Sequence, residues 1–290
     1  MTLIFFPVLL NYPRVEDWFM MSSPWPSLFI CVLYFVIVKL GPSIMANRKP
    51  IEMRNILIIY NMCMVGLSTY CFVEFNLAGW LAGYSLRCQP VDYSRSPQAM
   101  RMANVCWWFY FSKFIELLDT IFFIMRKKFN QVSFLHVFHH GIMPFSWWFG
   151  VKFVAGGFGT FHGMLNSFIH LVMYTYYGLA ALGPKYQKYL WWKKYMTKMQ
   201  ITQFIVVTIH SVQLLFIDCS YPKLFVYWIG LYAVVFMVMF ADFYRQAYKK
   251  PKSDSERVTN GTVTNVTTLK FLGYCCSPVT KHGRMTIFGI

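Results

Sequence analysis

The stretch KFIELLDT, residues 113–120, lies inside an apolar run at about 103–125 and sets a lysine, a glutamate and an aspartate among hydrocarbon side chains. Ionisable groups inside a membrane span are costly and default to a functional reading. On a helix turning about 100° per residue, Lys113, Glu116, Asp119 and Thr120 occupy one sector of roughly 120° and can face one interior cavity. Two readings remain open: part of a polar chamber, or a structural ion pair of Lys113 with Glu116 or Asp119 that keeps helices in register.

The rest of the chain fits a membrane setting. Of its 290 residues, 57% are hydrophobic, 20% aromatic and only 13% charged, against roughly a quarter charged in a soluble domain. Runs long enough to cross a hydrocarbon core fall at about 27–44, 56–79, 103–125, 134–155, 162–182, 199–217 and 224–244, which predicts an all-α membrane protein of seven transmembrane helices. The net charge of +16 sits in short clusters between these runs, where anionic lipid or a phosphorylated substrate is a better partner than nucleic acid. The expected domains are a lumenal amino-terminal segment (1–26), a seven-helix catalytic domain (27–244) and a cytosolic tail (245–290).

Lysine and arginine set the orientation, because loops rich in them stay cytoplasmic. Arg48, Lys49 and Arg54 follow the first run, Arg126 to Lys128 the third, Lys185 to Lys198 the fifth, and Arg245 to Lys252 the seventh. The amino terminus is therefore expected in the lumen and the carboxyl terminus in the cytosol. Met1 to Leu10 is apolar but lacks a basic leader and a small-residue cleavage site, so no cleaved signal peptide is expected. Residues 251–270 read as a flexible tail, whose Asn-x-Thr sequons at Asn260 and Asn265 face the unglycosylated side.

The eight cysteines show no zinc-type pairing. Cys88 and Cys219 fall in two connections on the lumenal side, where an oxidising environment permits a disulfide between them. Two unpaired interfacial thiols are the alternative.

Polar faces recur on neighbouring helices. HVFHH, residues 136–140, brings His136, His139 and His140 within about 80° of one face. HLVMYTYY, residues 170–177, aligns His170, Met173, Tyr174 and Tyr177, with Asn166 one turn earlier. TKMQITQ, residues 197–203, aligns Thr197, Gln200 and Gln203, a stripe that also suits interhelical hydrogen bonding. Four successive helices with polar faces predict a shared polar chamber.

Membrane di-iron enzymes use about eight histidine ligands from several boxes; this chain has seven histidines in all, with His210 near the lumenal end and His282 in the tail. No metal and no cofactor are expected. The remaining chemistry is that of neutral imidazoles, acting as general bases or as nucleophiles that take an acyl group from a thioester. Nearby Tyr, Gln, Asn and Lys side chains suit oxyanion stabilisation.

At these residues the sequence resembles the fatty acid elongase (ELO) family. KFIELLDT, HVFHH, HLVMYTYY and TKMQITQ are similar to its four signature motifs, in order and spacing, and the resemblance covers about residues 12–250. It implies seven transmembrane helices in the endoplasmic reticulum membrane, six forming an inverted barrel around an acyl tunnel with the first outside. It also implies the condensation of acyl-CoA with malonyl-CoA to 3-oxoacyl-CoA, carbon dioxide and CoA. His139 is then the candidate nucleophile, with His170 close by, His136 and His140 orienting it or exchanging protons, and Lys113, Glu116 and Asp119 completing the chamber. Asn166, Tyr174, Tyr177, Gln200 and Gln203 are expected to contact substrate.

CoA is expected to enter from the cytosol beside LWWKKY, residues 190–195, where Lys193 and Lys194 can hold phosphates; an interfacial belt of Trp and snorkelling Lys is the plain alternative. Expected partners are long-chain acyl-CoA, malonyl-CoA and the bilayer, with a homodimer and other elongation-cycle enzymes left open. HVFHHGIMP is similar to the branch acting on saturated and monounsaturated chains. The ending MTIFGI departs from the dilysine retrieval signal common in the family. A seven-helix receptor and a transporter are the competing classes. The residues supply neither an evident DRY-like helix end nor the internal repeats usual in transporters.

Overall fold

The computed structural model describes residues 13–248. The apolar start at Met1 to Leu10, the sequons at Asn260 and Asn265, Cys275, Cys276, His282 and the MTIFGI ending lie outside the described residues.

Eight α-helices make up most of the described chain: α1 (Trp25–Met45), α2 (Arg54–Phe75), α3 (Pro97–Ile115), α4 (Leu117–Met125), α5 (Phe134–Val154), α6 (Thr160–Ala181), α7 (Lys193–Gln213) and α8 (Lys223–Tyr248). Helix α2 continues through a single π-helical segment, Asn76–Trp80. Three helices are long and apolar enough to cross a membrane: Trp25–Met45, Arg54–Trp80 and Lys223–Tyr248. Several of the others carry Lys, Glu, Asp, His or Gln among their buried residues, which lowers their hydropathy.

The expected third run, 103–125, is two helices broken by a turn at Glu116. The first begins at Pro97, six residues before the apolar run, because Ser96 caps it. Its hydroxyl accepts from the Ala99 N–H at 3.2 Å, and Pro97 takes a first-turn position where an N–H is dispensable. The expected run 199–217 is corrected to Lys193–Gln213. Two lysines in its first turn disguise the helix start as a loop.

Packing orders the helices. Helix α2 packs on α3 and α6, α3 also on α5, α5 on α8, α8 on α7, and α7 on α6, while α1 lies against α4 and α5. Helix α1 comes close at two points. A Cβ on Gly141 of α5 would meet the Phe35 ring at 2.2 Å, and one on Gly41 of α1 would meet the Ile124 side chain at 2.8 Å.

The end holding the 81–96 connection is tied down by several kinds of bond. Cys88 and Cys219 form a disulfide with their Cα atoms 5.7 Å apart. The Arg14 guanidinium donates to the Asp92 and Ala155 carbonyls and lies over the Tyr93 ring. Phe158 N–H donates to the Gln89 carbonyl at 2.8 Å. Beside it Gly157 has φ +65°, and a Cβ there would meet the Gln89 and Pro90 backbone at under 3 Å, so glycine is required on both counts.

Candidate active site

Buried polar side chains of α3, α4, α5 and α6 meet at the other end. Three residues apart, Lys113 and Glu116 lie on the same inner side. Lys113 Nζ donates to Glu116 Oε1 at 2.7 Å and to Asn166 Oδ1 at 3.2 Å, and lies 4.2 Å from the centroid of Phe109. The same Glu116 oxygen lies 3.2 Å from Ser112 Oγ, whose single proton is shared with the Phe109 carbonyl at 2.7 Å, and faces His170 Nδ1 at 3.1 Å. Lys113 and Glu116 are 2% and 1% exposed. A buried charge pair offsets its desolvation only when its remaining hydrogen-bonding capacity is filled, and here the carboxylate has three partners.

One turn further, Asp119 Oδ2 accepts from Tyr174 OH at 2.8 Å. Tyr60 of α2 reinforces this corner, its ring 6.0 Å from Tyr174 and its hydroxyl donating to the Ile115 carbonyl at 3.4 Å. Tyr177 sits 6.2 Å from Tyr174, ring to ring.

Helix α5 presents its histidines in the first two turns because Ser133 caps it, accepting from the His136 N–H at 3.3 Å. The His136 ring lies 4.2 Å from His140, and His140 lies 5.2 Å from His139. His139 meets Phe236 of α8 edge to face at 5.0 Å. Pro144 has no N–H to give the His140 carbonyl, so the helical ladder opens directly beneath the histidine box.

Helix α7 contributes less. Gln200 Nε2 lies 3.8 Å from Met173 Sδ, and the buried Gln203 has an Nε2 with no partner among the described residues. Lys193 and Lys194 stand exposed in the first turn of α7, with Lys194 6.0 Å from the Tyr244 ring centroid. They are on the rim of the cluster and outside its hydrogen bonds. Among the described residues no three His, Cys, Asp or Glu side chains are grouped to hold a metal ion.

One cavity lies in this cluster and a second lies further along α5. A small one of about 10 Å³ is bounded by Ser112, Lys113, Glu116, Ser167 and His170. A larger one of about 50 Å³, bounded by Met143, Trp147, Gly150, His162, Trp228 and Tyr232 among others, begins at Met143. That residue is one turn beyond His139 on the same face of α5.

Three participants escaped the sequence reading. Ser112 had a legible signal, four residues before Glu116 and so on its face. Tyr60 and Tyr34 are lone hydroxyls in apolar helices, and only packing shows what they meet.

Comparison with known proteins gives the family. The model of the family described as ELO, GNS1/SUR4, matches residues 19–256. The chain is 57% identical over 242 residues to a very long chain fatty acid elongase of Aedes aegypti, covering 83% of this chain and 68% of that protein. It is 54% identical over 252 residues to very long chain fatty acid elongase 7 of Rattus norvegicus, covering 86% and 90%. Against very long chain fatty acid elongase 1 of Homo sapiens the identity is 50% over 244 residues, covering 83% and 87%. With its apolar helices and these matches, the chain is a multi-pass membrane protein and belongs to the ELO family.

Proposed function

We propose that this protein is the condensing enzyme of very-long-chain fatty acid elongation, joining acyl-CoA to malonyl-CoA, and that His139 carries the acyl group between the two halves of the reaction. The observation that carries the proposal is that the HVFHH box, bonded to Thr120 of KFIELLDT through His136, shares one end of the bundle with the Lys113–Glu116–His170 cluster, while Met143, one turn beyond His139 on α5, lines a cavity.

In the first half, a neutral His139 ring nitrogen attacks the thioester carbonyl. The C–N bond forms, the C–S bond breaks, and CoA leaves as its thiol with the imidazole proton. In the second half, malonyl-CoA loses carbon dioxide and its enolate carbon attacks the acyl-imidazole. The C–N bond breaks, the departing ring nitrogen takes a proton from water, which restores the neutral His139, and 3-oxoacyl-CoA departs. Oxyanion charge develops in both halves, and Lys113, Asn166, His170 and Gln203 are the donors available on the surrounding helices. Glu116 keeps Lys113 and His170 in place, Asp119 holds Tyr174, and His136 and His140 orient His139 or exchange protons with it. Gln200 and Tyr177 line the approach from α7 and α6.

The pairwise packing of α2, α3, α5, α8, α7 and α6 supports a six-helix inverted barrel around the acyl chain, with α1 outside and α3 and α4 together forming one span. The amino-terminal segment and the disulfide-bonded end are assigned to the lumen of the endoplasmic reticulum, and the lysine-rich rim and carboxyl-terminal tail to the cytosol. Lys193, Lys194 and Arg126 to Lys128 face CoA phosphates there. Saturated and monounsaturated chains are the assigned substrates, and no metal or cofactor takes part.

Incorporation of radiolabelled malonyl-CoA by the purified protein tests the proposal. The expected product is a 3-oxoacyl-CoA two carbons longer than the acyl donor, and its absence across C16 to C22 acyl donors overturns the reading.

A further inference from the structure

Helix α1 carries a tyrosine, outside the four motifs, that reaches the histidine box through a single intermediary. Tyr34 is 2% exposed and Thr120 is fully buried. The Tyr34 hydroxyl lies 2.9 Å from Thr120 Oγ1, and Thr120 Oγ1 lies 2.8 Å from His136 Nε2. Thr120 has one proton and stands between two partners, so it donates to one and accepts from the other.

The direction follows from the two hydroxyl protons, both of which are buried, whereas His136 is only half-buried. If Tyr34 donates to Thr120 and Thr120 donates to His136, each hydroxyl proton has an acceptor and Nε2 offers its lone pair. In the reverse direction His136 Nε2–H donates to Thr120 and Thr120 donates to Tyr34. The buried phenol proton is then left without an acceptor among the described residues, a cost that makes this direction the worse one.

We infer that Tyr34 is a positioning residue for the condensation: through Thr120 it holds His136 as the tautomer protonated on Nδ1, and so fixes the imidazole that lies tilted against His140. The rigid seat required for this role is present, since α1 meets α5 at Phe35 and Gly141, the residues next to Tyr34 and His140, and meets α4 at Gly41 and Ile124. The outermost helix is thereby part of the catalytic apparatus, acting through α4 on α5.

The assignment of a catalytic task to His136 rests on the proposed elongase chemistry, whereas its tautomer does not, and the test reads both. Full-length protein labelled with ¹⁵N-histidine in nanodiscs gives the His136 ring shifts, assigned by their loss in His136→Gln. The wild type is expected to show a bare Nε2 and a protonated Nδ1. Tyr34→Phe is expected to mix the tautomers and to lower kcat about tenfold, the worth of roughly one hydrogen bond, with KM for malonyl-CoA within about twofold because uniform binding is untouched. Thr120→Val is expected to do the same, and Thr120→Ser, which keeps the hydroxyl, to restore both shift and rate. A wild-type His136 protonated on Nε2, or a Tyr34→Phe protein with unchanged shifts and kcat, overturns the inference. Correct shifts in a protein inactive with every acyl donor would instead overturn the elongase chemistry and leave the relay standing.

Discussion

The two ends of the helix bundle bury polar groups in opposite ways. At the histidine end, side chains satisfy one another: Lys113, Ser112 and His170 share one oxygen of Glu116, and Tyr174 holds Asp119. At the disulfide end, side chains hold backbone and each other: Arg14 grips two carbonyls, the Trp107 and Trp148 indoles donate to the Phe19 and Met20 carbonyls, His210 stacks on Phe158 at 3.8 Å, and Cys88 is bonded to Cys219. The first arrangement keeps ionisable groups available but makes each depend on its neighbours. The second is a clamp with no reacting group in it. Damage at the first end should therefore alter chemistry and stability together, and damage at the second should alter stability alone.

Glu116→Ala is expected to do the most harm. It leaves Lys113 buried with Asn166 as its remaining oxygen partner, and an uncompensated buried charge costs about 3–5 kcal/mol, read as thermal unfolding in detergent. Lys113→Met should be milder for the fold, because the carboxylate keeps Ser112 and His170, yet condensation should fall by about 10²-fold, as for loss of one oxyanion donor. Normal activity per folded molecule in Lys113→Met would reduce the pair to a structural one.

Opening the clamp comes next. The disulfide closes a separation of 131 residues, and replacing Cys88 and Cys219 with alanine is expected to cost about 2–5 kcal/mol with activity per folded molecule unchanged. A fall in that specific activity would break the distinction between the two ends.

Gly141→Ala probes the seam between α1 and the histidine helix. Its methyl would press on the Phe35 ring at 2.2 Å, and such overpacking typically costs about 1–3 kcal/mol. The smallest effect is expected at the rim. Lys194→Ala should raise KM for malonyl-CoA a few-fold at low salt and hardly at all at high salt, since exposed charges are screened beyond about 10 Å at 0.1 M. A salt-independent loss of kcat would move Lys194 into the chamber.

Much of this organisation is legible in the chain. Polar residues spaced three and four apart in apolar runs mark the buried faces of Lys113, Glu116, His136, His140 and His170, because a helix leaves no other place for them than the interior. The turn at Glu116 was not legible, since KFIELLDT continues the helical period through it. The start of α7 was hidden because lysines in a first turn look like a loop, whereas the start of α3 was readable from Ser96 and Pro97 had the cap outweighed the apolar run. Tyr34 was beyond reach: one hydroxyl in an apolar helix acquires a role only when another helix supplies its partner.

The most direct test of His139 as acyl carrier supplies acyl-CoA without malonyl-CoA and follows both fragments. The account predicts stoichiometric release of free CoA and the addition of one acyl mass to the peptide containing HVFHH, both lost in His139→Ala. Wild-type protein that condenses acyl-CoA with malonyl-CoA but shows neither free CoA nor the acyl mass in its absence would contradict it, leaving His139 as a base in a ternary complex.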